Sequence, residues 1–283
     1  MTIGTHISWV NHTCNFWHGC VEMPFMGKTH PGCEHCYAKN QSKRYGKDIW
    51  GSNKPRWEIK GAWKMLNDIQ KIAKETREKQ TVFVGSMMDI FEKPMQLIDN
   101  KGNLVHNKTS GDLRNQFFSI IPDYPELIFL LLTKRIMNVW KYVPDSWLLG
   151  FPKNVMIGYS VSDQETLEGG MHYLDYLSGY TNTFLSVEPM TGYVDLMALT
   201  GTANNYKPDW IINGAESGKD RREMEISWAL LLKDQCQKNN IPYFFKQASG
   251  FRAGMQRNAP DNLWNTKEYP NLFTNSPYAA FCD

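Results

Sequence analysis

The sequence predicts an α/β chain, a partial (β/α) TIM-like barrel of about seven mainly parallel strands. Three observations carry that prediction. Short apolar runs recur along the chain, stretches with helical periodicity separate most of them, and no Pro/Gly/Ser-rich linker or internal repeat divides the 283 residues. Runs of β-branched and aromatic residues without alternation read as strands buried on both faces, hence parallel. Strand and helix in alternation build right-handed βαβ units. An open barrel fits this rhythm best, and a doubly wound sheet ranks second.

In chain order, a first strand is expected near the N-terminus, before or into a cysteine-bearing loop. Ile59, Trp63, Leu66, Ile69 and Ile72 then recur at spacings of three and four, which places them on one helix face. The apolar runs follow: "TVFVGS" (81–86), "LIFLLLTK" (127–134), "VMIGYS" (155–160), "TFLSVE" (183–188), "WIINGAES" (210–217) and "PYFFKQ" (242–247). Trp228, Leu231, Leu232 and Cys236 mark a helix before the last of them. One segment, 95–112, breaks the rhythm. Two short apolar pieces flank Asp99-Asn100-Lys101-Gly102-Asn103, a hairpin signal and either a lid over the barrel mouth or a plain surface hairpin. The organisation expected is one partial barrel over 1–250 with this insertion, then a C-terminal extension over 251–283 that forms no independent domain.

Composition narrows the class. Hydrophobic content of 42% and charged content of 21% describe a globular protein with a full core. The net charge of +2 gives no bulk footprint for nucleic acid, although it averages over the surface and is compatible with a local basic channel. The longest apolar run, Leu127 to Leu132, is too short to span a bilayer, so no membrane partner is expected. The N-terminus lacks the basic and apolar regions of an export signal. Six cysteines in such a chain argue for metal or redox chemistry in a reducing cytoplasm and against a disulfide scaffold.

In a parallel barrel the strands' C-terminal ends build the site, and here each apolar run ends in polar groups. They are Ser86 and Asp89; Thr133 and Lys134; Ser160, Ser162 and Asp163; Glu188; Asn213, Glu216 and Ser217; and Lys246. Ser162, Asp163 and Ser217 are also candidates for plain helix capping. Glu188 and Lys246 each end a buried strand, where an unpaired charge is costly. They either pair with each other or face a ligand.

Cys20, Cys33 and Cys36 crowd into "HGCVEMPFMGKTHPGCEHCYA", with Tyr37 directly after the last. Three readings fit. One is a structural zinc completed by Cys14, His18, His30 or His35; another is a catalytic zinc with three ligands. The third is an iron–sulfur cluster with three thiolates and one open iron. A C-x-x-C spacing is common to both metals, but a cluster loop after the first strand of a partial parallel barrel is the arrangement of radical S-adenosylmethionine (SAM) enzymes.

The pieces "HGC", "PGCEHCYA", "VFVGSMMDIFE", "FLLLTKR", "IGYSVSDQET", "FLSVEPMTGYVDL", "WIINGAESG" and "DQCQKNNIPYFFKQ" run in order over most of the chain. Together they resemble the phage Gp37/Gp68 family of radical-SAM-like proteins. The resemblance implies a barrel of the radical SAM type and a [4Fe–4S] cluster on Cys20, Cys33 and Cys36. Cys14 falls where that family has a tryptophan. SAM is then the expected cofactor, held at the mouth by Tyr37, Ser86, Asp89, Thr133, Lys134, Ser160 and Ser162. One branch isomerises Nα-glycinyl-thymidine to its Cα-linked form in phage DNA. That implies DNA carrying a modified thymidine and an electron donor such as a flavodoxin as partners, in the host cytoplasm. Lys246, Glu188, Glu216 and Arg222 are the candidate catalytic residues, and Lys246, Arg222 or Lys134 would meet a glycyl carboxylate. Two departures lie near the mouth: the hairpin at 95–112 is longer than in the family, and "GKDRREM" replaces a Gly/Pro-richer stretch. Cys282, in a tail without family signal, is expected to be incidental. The alternatives are a zinc-stabilised nucleic-acid-binding module without catalysis and a radical SAM enzyme acting on another substrate.

Overall fold

The structure is a computed structural model that describes residues 4–201 and 205–273. Cys282 lies outside the described residues. Seven strands form one sheet: β1 (His12–Cys14), β2 (Gln80–Val84), β3 (Leu127–Thr133), β4 (Val155–Val161), β5 (Asn182–Val187), β6 (Trp210–Gly214) and β7 (Tyr243–Gln247). They stand in sequence order and every neighbouring pair is parallel. A doubly wound sheet reverses its order at a switch point. The unbroken order excludes that alternative and gives the half-barrel, a partial TIM-like architecture.

The helices that matter here are α1 (Tyr37–Arg44), α2 (Gly61–Thr76), α3 (Ser110–Ile120), α4 (Gln164–Ser178) and α5 (Ile226–Lys238). Successive residues of a strand point to opposite faces, and the two faces bury different cores. Val82, Val84, Phe129, Leu131, Ile157, Leu185, Ile211 and Phe245 join the core that also holds the buried faces of α2 to α5. Phe83, Ile128, Leu130, Met156, Phe184, Ile212 and Phe244 form a second core on the other face. Trp9, Trp210 and Tyr269 complete it as an aromatic plug; Trp210 lies 6.0 Å from Trp9 and 5.6 Å from Tyr269 between ring centroids. Tyr269 belongs to the C-terminal segment, which also pairs with β7 through Phe245 N–H to Thr266 O and Glu268 N–H to Tyr243 O. That segment covers backbone that an open sheet edge would leave unpaired.

The 95–112 hairpin forms as Gln96–Ile98 and Leu104–Thr109, its turn closed by Asp99 Oδ1 accepting from the amides of Lys101 and Asn103. It is the edge of a second, four-stranded sheet with Trp17–His18 and Arg56–Glu58, built from chain that follows the C-terminal ends of β1 and β2. Thr109 and Asp112 then start α3 with a reciprocal capping box. No helix among the described residues is long and apolar enough to cross a membrane.

Gly158 shows how closely the inner core is packed. A Cβ there would lie 2.2 Å from the ring of Phe184, its partner on β5, which is fully buried. Gly158→Ala is expected to destabilise the fold by about 1–3 kcal/mol, lowering the thermal midpoint by several degrees. Adding Phe184→Leu should recover part of the loss. Equal melting of Gly158→Ala and the parent protein would show that the interior is not packed in this way.

Candidate functional site

The cysteine loop leaves β1 through Gly19, whose φ of +111° a side chain would strain. A Cβ there would also lie 2.3 Å from the carbonyl oxygen of Ile49. Gly19 N–H donates to Met87 O, Gly51 N–H donates to Cys20 O, and Val21 N–H donates to Glu92 Oε1 at 2.9 Å. Buried His30 then accepts from Gly32 N–H through Nδ1 at 3.0 Å and starts the single turn Pro31–Glu34, which carries Cys33. Burial, then Lys134 and Arg135, push the His30 pKa down to about 3, so the ring stays neutral. Cys36 is the N-cap residue of α1.

Ion pairs fasten this loop across the mouth at both ends. At the β3 end, Arg135 Nη1 donates to Asp89 Oδ2 at 2.7 Å and approaches Cys20 Sγ at 3.6 Å, while Nη2 donates to Val21 O at 2.6 Å. Beside it, fully buried Arg56 forks onto Glu92, the same carboxylate that holds Val21. At the β6 end, Arg222 binds Glu216 and donates to Glu34 Oε2 and Pro31 O, each at 2.7 Å; His35 Nδ1 lies 3.0 Å from Glu216 Oε2. Between the two ends Gly32 presses on the sheet. A Cβ there would meet Lys134 Cε at 2.9 Å and Ser162 Oγ at 3.3 Å.

The residues expected to bind a cofactor divide into two groups. Asp89 and Thr133 are spent inside: Asp89 accepts from Thr133 Oγ1 at 2.7 Å, the Phe91 amide and Arg135. Ser86, Tyr37, Ser160, Ser162 and Lys134 stay at the mouth. Tyr37 donates to Ser86 O at 2.6 Å, and Ser86 Oγ accepts from Asn15 Nδ2. Buried Ser160 lies on the inner face opposite Ser186. Among the candidate catalytic residues, Lys246 and Glu188 pair at 3.2 Å, and Glu216 with Arg222 forms the loop anchor. Gly214 makes the first pair possible, since a Cβ there would sit 2.6 Å from Glu188 Oε1. Asp163 caps α4, whereas Glu225 stands at the start of α5 and Ser217 bridges to Gly250.

Arg135, the Arg56–Glu92 fork and the buried role of His30 are not legible in the sequence. The one signal for Arg135 is a second cation after a buried strand, in "LLLTKR". Arg56 and Glu92 are separated by 36 residues, and nothing local joins them.

Glu188 Oε1 is held in the Lys246 ion pair and His30 is bonded to the Ser160 backbone, whereas buried Ser162 Oγ at the mouth has no hydrogen-bond partner. Such an atom is rare and suits a polar ligand. Burial raises the Cys20 thiol pKa against the pull of Arg135. Burial raises Cys36 too, against the amides of Lys39 and Ala38 and the charge of Lys134. Cys33 adds to both effects, as a neighbour of Cys20 on one side and of Cys36 on the other. Metal ligation would take the thiolate forms. The donor set fits an iron–sulfur centre in kind, as three soft ligands on one loop. Their spacing is not closed. Among the described residues no group of three His, Cys, Asp or Glu side chains stands close enough to hold a metal ion. Cys14 is apart, fully buried in the core between sheet and helices.

Fold and site together define a class: an α/β half-barrel with a cysteine loop pinned across its C-terminal mouth. The chain belongs to the family described as protein of unknown function (DUF5131), whose model matches residues 4–270. No curated protein and no solved structure matches it.

Two predictions test the anchors. Asp89→Asn leaves Arg135 buried without its counter-charge and is expected to cost roughly 3–5 kcal/mol, read as a lower denaturation midpoint. The Glu216 carboxyl is raised by burial but lowered further by Arg222 and His35, so its net pKa lies below the ordinary value. A depressed folded pKa gives stabilisation that is complete above the unfolded pKa and lost as pH falls through the folded one. Proteolysis at 31–36 should therefore accelerate only in acid. In Glu216→Gln it should be faster at neutral pH and show less acid dependence.

Proposed function

We propose that this chain is a radical SAM enzyme in which Cys20, Cys33 and Cys36 hold a [4Fe–4S] cluster. Its proposed substrate is a glycinyl-modified thymidine in phage DNA, isomerised from the Nα- to the Cα-linked form. The observation that carries the reading is the cysteine loop itself, pinned over the strands' C-terminal ends above the buried, unpartnered Ser162 Oγ. When bound, cluster and SAM would supply a 5′-deoxyadenosyl radical able to take a glycyl α-hydrogen.

The chain's own residues would bind and orient. Arg135 and the Arg56–Glu92 fork fix the Cys20 end of the loop, and Arg222 with Glu216 fixes the end carrying Cys33 and Cys36. Of the three cations expected to meet a substrate carboxylate, Lys246 and Arg222 are neutralised by Glu188 and Glu216. Lys134 has no ion-pair partner among the described residues and is the cation assigned to that carboxylate. Below the mouth, Met156, Phe184, Ile212 and Phe244 give a dry floor, which excludes water from the reacting groups. An electron donor such as a flavodoxin would supply the reducing equivalent.

Anaerobic reconstitution tests the reading. The parent protein and Cys14→Ala should become brown, with iron and sulfide in equal amounts. Single Ala variants of Cys20, Cys33 and Cys36 should stay colourless. The reduced protein with SAM should release 5′-deoxyadenosine, and nucleoside analysis of glycinyl-thymidine DNA should show the isomer. One zinc per colourless chain would replace this reading with a zinc-stabilised module.

A further inference from the structure

Residues 37–57 depart from the chain's charge balance. They hold six Lys or Arg against the single acid Asp48, in a protein whose net charge is +2. Three of the six are engaged: Arg56 with Glu92, Lys39 with Glu22 and Lys54 with Asp48. Lys43, Arg44 and Lys47 have no ion-pair partner among the described residues, nor has Lys28 on the neighbouring hairpin. Lys43 and Arg44 are exposed, and so is Tyr45 at 69%. Lys39 and Lys43 stand four residues apart on α1 and share a face. Lys47 lies over the Trp57 ring at 4.5 Å from its centroid.

Beside this stripe opens a cavity of about 350 Å³, lined among others by Glu22, Lys28, Lys39, Trp50, Gly51 and Ser52. Its volume is in the range that accepts a small planar group. Lys39 belongs to both the stripe and the cavity wall. The stripe also begins at the mouth, because α1 starts next to Cys36 and Tyr37 is bonded to the end of β2. Eight helical residues extend about 12 Å, a distance of a few nucleotides along an extended strand.

We propose that this surface binds single-stranded nucleic acid, with phosphates along Lys43, Arg44 and Lys47 and one base in the cavity against Trp50. Unpaired cations alone would serve any acidic partner. The cavity with an aromatic wall and polar edges selects a base, since every base offers a face for stacking. Glu22 holds Lys39 through Oε1 and keeps Oε2 to accept from a base's exocyclic amino group, while Lys28, on the cavity wall without an ion-pair partner among the described residues, meets the strand's negative charge. The proposal rests on the function proposed above only for the link between this surface and chemistry at the mouth.

Anisotropy of a short labelled single-stranded DNA, titrated with the full chain at several salt concentrations, tests it. Affinity should fall steeply with salt. Lys43→Gln with Arg44→Gln should reduce the log–log salt slope by about 1.4, at roughly 0.7 for each phosphate no longer neutralised. Trp50→Ala should weaken binding by about tenfold without changing the slope, and Trp50→Phe should retain most of it. Absence of binding at low salt, or variants that bind like the parent, overturns the proposal. Capture of an acidic flavodoxin but not of DNA through Lys43 and Arg44 overturns it as well. Lost DNA binding with iron and sulfide intact removes this surface and leaves the proposed chemistry standing. A colourless zinc protein that binds DNA with these dependences does the reverse.

Discussion

The buried pair of Asp89 and Arg135 is the constraint on which the site depends. Taking two charges out of water costs several kcal/mol for each ion unless other bonds saturate them. Here they are saturated. Asp89 accepts from Arg135, Thr133, Phe91 and the Lys134 amide, and Arg135 spends its other arm on Val21 O. Such a pair adds little to net stability compared with an apolar replacement. What it supplies is position. It joins the chain after β2, the end of β3 and the cysteine loop at one point, so the loop cannot shift without unpairing a buried charge. The Arg56–Glu92 fork repeats the device beside it, gathering Ile49 O, Lys54 O and Val21 N–H around it.

The half-barrel explains why such fastening is needed. A closed eight-stranded barrel fills its interior with side chains from all round, but seven strands leave the inner face open along one side. Here the aromatic plug closes the N-terminal half and the C-terminal segment covers β7. The C-terminal half carries small and polar inner residues, Gly158, Ser160, Ser162 and Ser186, and the cysteine loop covers it. A loop over polar side chains gains little from apolar burial, so ion pairs do the holding.

Strand identity is legible in the sequence because both faces of each strand are buried. The apolar runs at 127–134 and 155–160 coincide with Leu127–Thr133 and Val155–Val161 almost to the residue. The hairpin is legible from its Asp-Asn-Lys-Gly-Asn turn. The fate of each polar strand end is not. Thr133 and Lys134 are adjacent in sequence, yet Thr133 turns to Asp89 in the interior while Lys134 lies against the cysteine loop. Which neighbour goes inward depends on strand register and on a carboxylate 44 residues earlier in the chain. Arg135 is hidden for the same reason. Local sequence shows a cation after a strand, but not the two segments it joins.

The two anchors differ in solvent exposure, and that difference orders the loop's mobility. At the β3 end the side chains of Arg135 and Asp89 are 7% and 8% exposed, and those of Arg56 and Glu92 are 0%. Pairs this dry are screened little by salt. At the β6 end, Arg222 and Glu34 are 30% and 45% exposed, and His35 is also open to solvent. Pairs of that kind contribute modestly and weaken as ionic strength rises. Local opening follows the weaker bonds, so the turn bearing Cys33, with Cys36 just after it, yields before the stretch bearing Cys20. A ligand bound beneath the loop would then enter from the β6 side, past Arg222, with the Cys20 end as the fixed wall. The basic helix α1 follows directly from the yielding turn, so whatever holds α1 also bears on how readily the mouth opens.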